Sequence, residues 1–253
     1  MTPTEIAQLN LNFADATPET ILSYCAQRFP GKVILSSSMG NEDQMLTHLI
    51  GSAKIAIQII TLDTGRLFAE TYSLIERTNE RYGTSIRIMF PDAAQVEEMV
   101  NAKGINLFYE SVGNRKLCCH IRKIAPLKRA LAGMDCWITG LRREQSEYRA
   151  DMQLFEWDDE YGILKVNPLI NLKEAEVWGF ITENHVPYNK LHDKNFKSIG
   201  CQPCTRAVTD GDDARSGRWW WEDANHKECG LHVHESGEKK PANAIGGIGK
   251  LSI

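Results

Sequence analysis

Residues 33–45 read VILSSSMGNEDQM, which joins a short apolar stretch to a serine-rich turn and then to a helix start. The first three residues are all apolar and two are β-branched, which is typical of a strand covered on both faces of a parallel sheet. In open parallel sheets, ligands bind beyond the carboxyl ends of the strands, where loop amides and helix N-termini accept anions. The turn therefore predicts an anion site, with the candidate residues Ser36, Ser37, Ser38 and Gly40.

The same strand–helix alternation continues along the chain. We predict further strands at 55–62, 85–90, 137–139, 154–157 and 163–166. We predict helices at 17–29, from 41, at 66–82, 93–103, 121–131 and 173–184. This alternation indicates a doubly wound α/β protein with a Rossmann-like parallel sheet. The regular pattern fades after about residue 195, so we divide the chain into an N-terminal helical segment (1–30), an α/β nucleotide-binding domain (31–195), an irregular C-terminal segment (196–234) and a flexible tail (235–253).

Composition excludes several classes of protein. The 253 residues are 42% hydrophobic and 25% charged, which is the balance of a globular domain rather than of a disordered chain. The longest nearly apolar run, residues 55–60, is far shorter than the roughly 20 residues of a membrane helix. The N-terminus has neither the basic region nor the apolar core of a secretory signal, so we expect a cytoplasmic protein without membrane contact.

Charge is unevenly distributed. The net charge of −4 argues against a general nucleic-acid binder. Residues 113–149, however, carry nine basic and three acidic residues, while the rest of the chain carries 20 basic and 30 acidic residues. This basic segment is consistent with a solvated helix face and with a focused anion site on an otherwise acidic protein.

Two further segments resemble phosphate-binding turns. The strand at 55–62 also ends in a polar turn, residues 62–66, in which Asp63 is a candidate binding residue beside the first turn. The glycine-rich residues 246–250 do not form a Walker A loop, because no strand precedes them and the GxxxxGK[ST] pattern is absent.

Four of the seven cysteines form a pattern. Cys118 and Cys119 are adjacent, and Cys201 and Cys204 form a CxxC that suits zinc, an iron–sulfur cluster or a redox disulfide. Neighbouring side chains diverge, so two adjacent cysteines chelate one tetrahedral zinc poorly, whereas each can bind a separate iron of a cubane. Residue pattern therefore favours a [4Fe–4S] cluster, with buried free thiols or a structural zinc as the alternatives. Cys25 and Cys136 are expected to be buried and inert.

Cys229 lies in the sequence KECGLH, three residues before His232. A nearby histidine or lysine lowers the pKa of a thiol and so favours a catalytic cysteine. The spacing is equally compatible with an unremarkable surface cysteine or with a metal site made by Cys229, His232 and His234. The residues alone leave these three interpretations open.

These motifs together resemble the assimilatory sulfonucleotide reductases, in the iron–sulfur branch that contains bacterial adenylyl-sulfate reductases. The resemblance extends from about residue 30 to His232. It is carried by the segments SSSMGNED (36–43), LDTGR (62–66), CCHIRK (118–123), TGLRREQS (139–146), GCQPCTR (200–206), GRWWW (217–221) and ECGLH (228–232).

The resemblance implies a fold of the adenine-nucleotide alpha-hydrolase type and a role for each matching residue. It implies that Cys229 is the nucleophile and that the four cluster ligands are Cys118, Cys119, Cys201 and Cys204. It also implies that Ser36, Ser37 and Ser38 form the phosphate loop, and that the residues near the sulfonucleotide or the cluster are Lys123, Arg149, Arg215, Arg218 and His232.

The implied activity is reduction of adenosine 5′-phosphosulfate to sulfite and AMP through an enzyme S-sulfocysteine, with thioredoxin or a similar dithiol protein as the reductant. The 3′-phosphorylated substrate is the alternative within the family. A non-enzymatic iron–sulfur or nucleotide sensor is the alternative outside it, although a sensor has no need of a nucleophile at Cys229. A homo-oligomer is expected by analogy alone.

Overall fold

A six-stranded sheet organises the molecule, and the computed structural model describes residues 1–146, 149–209 and 211–222. The strand order is β3-β2-β1-β4-β6-β5. The strands are β1 (Val33–Ser37), β2 (Gln58–Leu62), β3 (Arg87–Met89), β4 (Cys136–Ile138), β5 (Phe155–Asp158) and β6 (Ile163–Val166). All neighbours are parallel except β5 and β6. The chain builds β2 and β3 on one side of β1 and β4 on the other, which creates a topological switch point at β1.

Helices cover both faces of this sheet. They are α1 (Pro3–Asn12), α2 (Pro18–Arg28), α3 (Asn41–Ser52), α4 (Ala69–Tyr82), α5 (Ala93–Lys103), α6 (Val112–Cys119), α7 (Ala125–Leu131) and α8 (Glu174–Glu183). Alternate residues of β1 enter different cores: Val33 and Leu35 pack with α2 and α3, while Ile34 packs with α7. Both faces of the central strands are therefore apolar, as the continuous apolar pattern predicted. Among the described residues, no helix is long and apolar enough to span a bilayer.

The α/β fold is confirmed, and one part of the parallel-sheet prediction is wrong. β5 is antiparallel to β6 because the connection at 159–162 is a tight turn, and a parallel crossover needs a dozen or more residues. β5 forms one edge of the sheet, and Asn10 of α1 covers part of it. The Asn10 amide donates to the Phe155 carbonyl (2.9 Å) and accepts from the Phe155 N–H (3.0 Å).

Three predicted boundaries move by three residues or more. β2 begins at Gln58 rather than at 55, because the Ile55 N–H closes the end of α3 on the Ile50 carbonyl. α4 begins at Ala69 rather than at 66, because residues 63–66 form a turn with Gly65 at φ +70°. The helical region predicted at 121–131 begins nine residues earlier, at Val112, where the Ser111 hydroxyl caps the helix.

α6 and α7 are joined by a π-helical stretch at His120–Ile124. Such π segments commonly occur at functional sites, because the wider turn redirects the side chains that follow it. Here the π stretch directly follows Cys118 and Cys119 and contains Lys123. α1 lies within the N-terminal helical segment predicted at 1–30, and Thr2 and Glu5 form a capping box at its start. The division of the chain at residues 30 and 195 stays a prediction.

Candidate active site

The carboxyl ends of β1, β2 and β4 face one cavity of about 480 Å³. It lies at the switch point of the sheet, which is where ligands of doubly wound folds bind. Loops that are distant in sequence line it, including the turn after β1, the loop after β4 and residues 197–200. Eight of the predicted substrate-binding residues line this cavity: Ser36, Ser37, Ser38, Gly40, Lys123, Arg149, Arg215 and Arg218.

Asp43 fixes the turn after β1. Its carboxylate accepts hydrogen bonds from the N–H and from the hydroxyl of Ser38, both at 2.6 Å. Burial raises the pKa of Asp43 to about 6, although the hydrogen bonds from Ser38 act in the opposite direction. Gly140 approaches so closely that a Cβ there would stand 2.4 Å from Asp43 Oδ1, so this position must lack a side chain. Asp43 therefore links the turn after β1 to the loop after β4.

The serine side chains are partly occupied by structural hydrogen bonds. The Ser36 hydroxyl accepts from the Trp137 indole (2.8 Å), and the Ser37 hydroxyl accepts from the Met39 N–H (3.1 Å). Both donors of Ser38 are committed to Asp43. The first turn of α3, by contrast, has no side-chain cap, so its main-chain amides are available to an anion in the cavity.

The cations of the cavity are held by close packing. Arg149 is 8% exposed and donates to the Gln145 side chain, and Arg218 is 7% exposed. The Arg218 guanidinium lies over the Trp219 ring, 4.6 Å from its centroid. A Cβ on Gly200 would stand 2.3 Å from Arg218 Nη2, so glycine at this position makes room for the guanidinium. Buried guanidinium groups are poorly screened by solvent and attract anions strongly.

Asp63 does not line the cavity. Its carboxylate accepts from the Gly65 N–H (2.8 Å) within its own turn and from the Tyr72 hydroxyl (2.9 Å). Burial raises the pKa of Tyr72 to about 12, and the hydrogen bond to Asp63 adds to this effect. The structure thus places Asp63 behind the turn, where it shapes the loop.

The turn after β2 holds the CxxC segment in place. Thr64 Oγ1 is 3.2 Å from Cys201 Sγ, and the Arg66 carbonyl accepts from the Gln202 N–H at 2.8 Å. The Arg122 guanidinium donates to the Thr64 carbonyl at 2.6 Å from the π stretch. The polar turn at 62–66 therefore contacts the CxxC segment directly and, through Arg122, the π stretch that follows Cys118 and Cys119.

The four predicted cluster cysteines meet at one place. Cys118 and Cys119 end α6, Cys201 precedes a 3₁₀ turn and Cys204 ends it, and all four line a second cavity of about 20 Å³. Lys123 lines both this cavity and the larger one. The two sites are therefore neighbours that share a cation.

The environments of Cys118 and Cys204 oppose ionisation of their thiols. Burial raises the pKa of the Cys118 thiol, against the opposing effect of Arg122. Burial and the neighbouring Cys201 raise the pKa of the Cys204 thiol to about 12, against the opposing effect of Lys123. No three His, Cys, Asp or Glu side chains in the described part of the chain converge as ligands of a single metal ion.

The segment at 217–222 is attached to the cysteine site. The Trp219 N–H donates to the Cys204 carbonyl at 3.2 Å. Glu222 forms a bidentate ion pair with Arg115 of α6, with hydrogen bonds of 3.0 and 2.7 Å. Both side chains of this pair are almost completely buried. Cys229, His232 and His234 lie outside the described residues, so the role predicted for Cys229 stays a prediction.

Arg142 and His192 line the cavity but are not among the binding residues predicted from the sequence. Arg142 is buried and pairs with Glu42 of α3 at 2.9 Å, which fixes the loop after β4 against the turn after β1. Arg142 lies within the quoted segment TGLRREQS, so its position in a motif was a usable signal. His192 also lines the cavity, and its neighbours LHDKN form no motif that points to binding.

Comparison with known proteins agrees with this site. A family model described as "Phosphoadenosine phosphosulfate reductase domain" matches residues 32–207. The chain is 49% identical over 210 residues to an adenosine 5′-phosphosulfate reductase of Allochromatium vinosum, covering 83% of this chain and 82% of that protein. It is 50% identical over 216 residues to an adenosine 5′-phosphosulfate reductase of Burkholderia cepacia, covering 85% of this chain and 86% of that protein.

Solved structures support the same fold. A phosphoadenylyl-sulfate reductase from Candida auris, in a phosphate complex, matches with a TM-score of 0.72 and 28% identity over 82% of this chain and 98% of that one. An FMN adenylyltransferase of Candida glabrata matches with a TM-score of 0.54 and 16% identity, over 93% of this chain and 79% of that one, which shows a shared fold alone. The resemblance inferred from the motifs is thereby confirmed. The chain belongs to the family of the phosphoadenosine phosphosulfate reductase domain.

Proposed function

We propose that this protein is an oxidoreductase that reduces adenosine 5′-phosphosulfate to sulfite and AMP in sulfate assimilation. The relatives that are 44–50% identical over most of the chain carry the name of this activity. The observation that carries the proposal is the cavity at the switch point, whose buried cations stand beside a four-cysteine site and share Lys123 with it. Such a cavity suits a nucleotide with a doubly anionic phosphosulfate group.

The phosphosulfate would bind between the start of α3 and the cations. Main-chain N–H groups in the first turn of α3 would donate hydrogen bonds to one part of the anion, because this turn has no side-chain cap. The remaining charge would be offset by Lys123, Arg149, Arg215 and Arg218. The hydroxyls of Ser37 and Ser38 would shape the loop, since Ser37 bonds with Met39 and Ser38 donates to Asp43. The Ser36 hydroxyl accepts from the Trp137 indole and would donate its own proton to the phosphosulfate.

The reaction then needs a nucleophile at the sulfur. The Cys229 thiolate would attack the sulfate sulfur, form a Cys–S–SO₃⁻ bond and break the S–O bond to the phosphate, which releases AMP. The cations lower the repulsion between thiolate and sulfonate oxygens, and His232 would favour the thiolate. A thiolate of thioredoxin or of a similar dithiol protein would next attack the Cys229 sulfur and release sulfite. The second thiol of the donor resolves the mixed disulfide, so the donor supplies both electrons.

The four cysteines would hold a [4Fe–4S] cluster. The donor set fits this group, because four thiols line one cavity with no carboxylate among its lining residues, and Arg66, Arg115, Arg122 and Lys123 surround it. A cubane binds each thiolate at a different iron, so its ligands need not converge on one point as those of a single ion do. When bound, the cluster would supply electrostatic and structural support, since the dithiol already provides the electrons.

A test that needs no reductant follows from the proposed intermediate. The cluster-loaded protein is incubated anaerobically with adenosine 5′-phosphosulfate, or separately with its 3′-phosphorylated form, and its intact mass is measured. We expect a gain of one sulfonate group in the wild type and in Cys25→Ala, whose thiol is buried in α2, and no gain in Cys229→Ser. If neither nucleotide adds mass, the proposal fails and a non-enzymatic sensor becomes the better hypothesis.

The same experiment addresses the second substrate. The match to a phosphoadenylyl-sulfate reductase at a TM-score of 0.72 is the observation that keeps the 3′-phosphorylated nucleotide as a candidate. The nucleotide that adds mass at the lower concentration identifies the substrate. A dithiol donor and free thiols both require a reducing compartment, so we also propose a cytoplasmic enzyme.

A further inference from the structure

Four buried polar atoms that have no hydrogen-bond partner in the described part of the chain belong to residues that line the main cavity. They are Asn41 Oδ1, His192 Nε2, Arg218 Nε and Trp219 Nε1. Buried polar groups are almost always paired, so unpaired ones beside a cavity point to a bound molecule as the partner. The four atoms differ in chemistry: the arginine and tryptophan nitrogens are donors, and the asparagine oxygen is an acceptor. The fourth atom, His192 Nε2, can be a donor or an acceptor, depending on the position of the ring proton.

His192 is an acceptor at Nε2. The ring packs edge-to-face on Trp178, with centroids 5.4 Å apart. Burial lowers the pKa of His192 below its usual value, so the ring is neutral at pH 7, although Glu42, the main chain of Phe196 and Asp193 act in the opposite direction. In a neutral imidazole, one nitrogen carries the proton and the other accepts a hydrogen bond. The ring also hydrogen-bonds the main chain of Phe196, and because Nε2 has no partner among the described residues, Nδ1 carries the proton in that bond. Nε2 of this cavity-lining residue therefore keeps its lone pair.

The two acceptors come from adjacent elements. Asn41 is the first residue of α3, and Gln44 of the same helix donates from Nε2 to the Pro187 carbonyl at 2.8 Å. This bond holds the segment that leads to His192 against α3. The two donors, Arg218 and Trp219, come instead from the segment that is attached to the cysteine site. We refer to the two cavity-lining acceptors, Asn41 Oδ1 and His192 Nε2, as the acceptor wall.

The chemistry of the substrate indicates which of its parts can donate hydrogen bonds to the acceptor wall. An ionised phosphosulfate has oxygen acceptors and no N–H or O–H donor, so it pairs with Arg218 and Trp219 but not with the acceptor wall. The nucleoside is the part of the molecule that carries donors, in the exocyclic amine of adenine and in the ribose hydroxyls. We propose that His192 is a specificity-determining residue whose Nε2 accepts a hydrogen bond from the nucleoside. This inference rests on the proposed function, because it assumes an adenine nucleotide in this cavity.

The test compares nucleotides that lack one donor each. Equilibrium binding of AMP, purine riboside 5′-monophosphate, 2′-deoxy-AMP and 3′-deoxy-AMP is measured by calorimetry on the anaerobic, cluster-loaded protein. We expect the wild type to bind AMP at least about tenfold more tightly than one of the three analogues, because that analogue leaves the His192 acceptor unpaired. The analogue that loses affinity identifies the donor as the amine or as one hydroxyl.

Two variants attribute the difference to His192. His192→Phe keeps a flat ring and has no acceptor, so it should bind AMP and the discriminated analogue equally. His192→Gln keeps an acceptor oxygen and should retain part of the preference, which a purely structural role would not produce. Should the wild type bind all four nucleotides within about twofold, or His192→Phe keep the full preference, the inference is overturned. The sulfonate adduct on wild-type Cys229 is measured separately, so a failure here is distinguishable from a failure of the proposed function.

Discussion

The buried ion pair between Arg115 and Glu222 offers the sharpest test of how the C-terminal segment is held. Arg115 Nε and Nη2 donate to the two carboxylate oxygens of Glu222 at 3.0 and 2.7 Å. The side chains are 0% and 4% exposed, and Arg115 also lies over the Trp219 ring at 4.8 Å. The perturbation is Glu222→Gln, which keeps the shape of the side chain and removes its charge.

The expected loss of stability is large because the ion pair is buried away from solvent. At an effective dielectric constant of about 20, two unit charges about 4 Å apart attract by about 4 kcal/mol. Removing one member of a buried pair leaves the other charge desolvated and typically costs about 3–5 kcal/mol. We expect Glu222→Gln to lower the free energy of unfolding by about 3 kcal/mol, since the amide still accepts one hydrogen bond.

The measurement is urea unfolding of the anaerobic protein, followed by tryptophan fluorescence. The double variant Arg115→Met/Glu222→Leu should regain stability to within about 1 kcal/mol of the wild type, because replacing both charges avoids the uncompensated one. Asp135→Asn serves as the control, since its ion pair with Lys32 is half exposed and should contribute less than about 1 kcal/mol. A loss below about 1 kcal/mol for Glu222→Gln would refute the inference that this pair is an essential attachment.

Three further predictions follow from other contacts. Because the pKa of Asp43 is raised in the folded state, its contribution is most favourable below about pH 4 and is lost as the pH rises through 6, so the stability of the wild type relative to Asp43→Asn should fall by about 2 kcal/mol between pH 4 and pH 7. Gly200→Ala should displace the Arg218 guanidinium and raise the Kd for the sulfonucleotide about tenfold, which equals about 1.4 kcal/mol, as measured by calorimetry. Asn10→Ala should lower the free energy of unfolding by about 1–3 kcal/mol in urea titrations, because it leaves the edge N–H and carbonyl of Phe155 without their partner.

Each of these has a matched control in the chain. Asp151→Asn changes an exposed carboxylate, and its stability should follow the wild type across the same pH range. Gly179→Ala adds a methyl group to α8 where no atom lies within 4 Å, so sulfonucleotide binding should not change. Asn12→Ala removes an exposed hydrogen bond to Gln8 on the same helix as Asn10. If a control variant changes as much as its test variant, the corresponding contact is not the cause.

The parts of the site that follow directly on a strand could be predicted from sequence. Residues 33–45 combine a two-sided apolar strand, a turn and a helix start, and these local signals place the loop at the carboxyl end of β1 wherever the rest of the chain lies. The adjacency of Cys118 to Cys119 and the spacing of Cys201 to Cys204 likewise indicated one site, and the structure does place all four at one cavity. Local pattern and chemistry agreed in both cases.

What could not be predicted depends on contacts between distant residues. Asp63 is in a polar turn of the right kind, yet its carboxylate is directed to Tyr72 by packing that no short pattern records. The antiparallel direction of β5 follows from the length of one turn, which the apolar pattern of the strand does not encode. His192 has no motif around it and becomes informative once the cavity exists, because the relevant property is that Nε2 has no hydrogen-bond partner within residues 1–146, 149–209 and 211–222.

Trp219 connects the two halves of the site. Its main-chain N–H donates to the Cys204 carbonyl, and its ring lies beneath the guanidinium groups of Arg115 and Arg218. In the sequence, Cys229 follows ten residues later. A change in the shape of the cysteine turn would therefore move a cation of the larger cavity and the segment that leads to the proposed nucleophile at the same time. A cluster bound by the four cysteines would thus affect sulfonucleotide reduction by fixing this backbone, even though no electron needs to pass through it. On that basis, loss of the cluster should weaken sulfonucleotide binding and slow formation of the sulfonate adduct together, whereas a cluster that acted as an electron carrier would leave adduct formation, which consumes no electrons, unchanged.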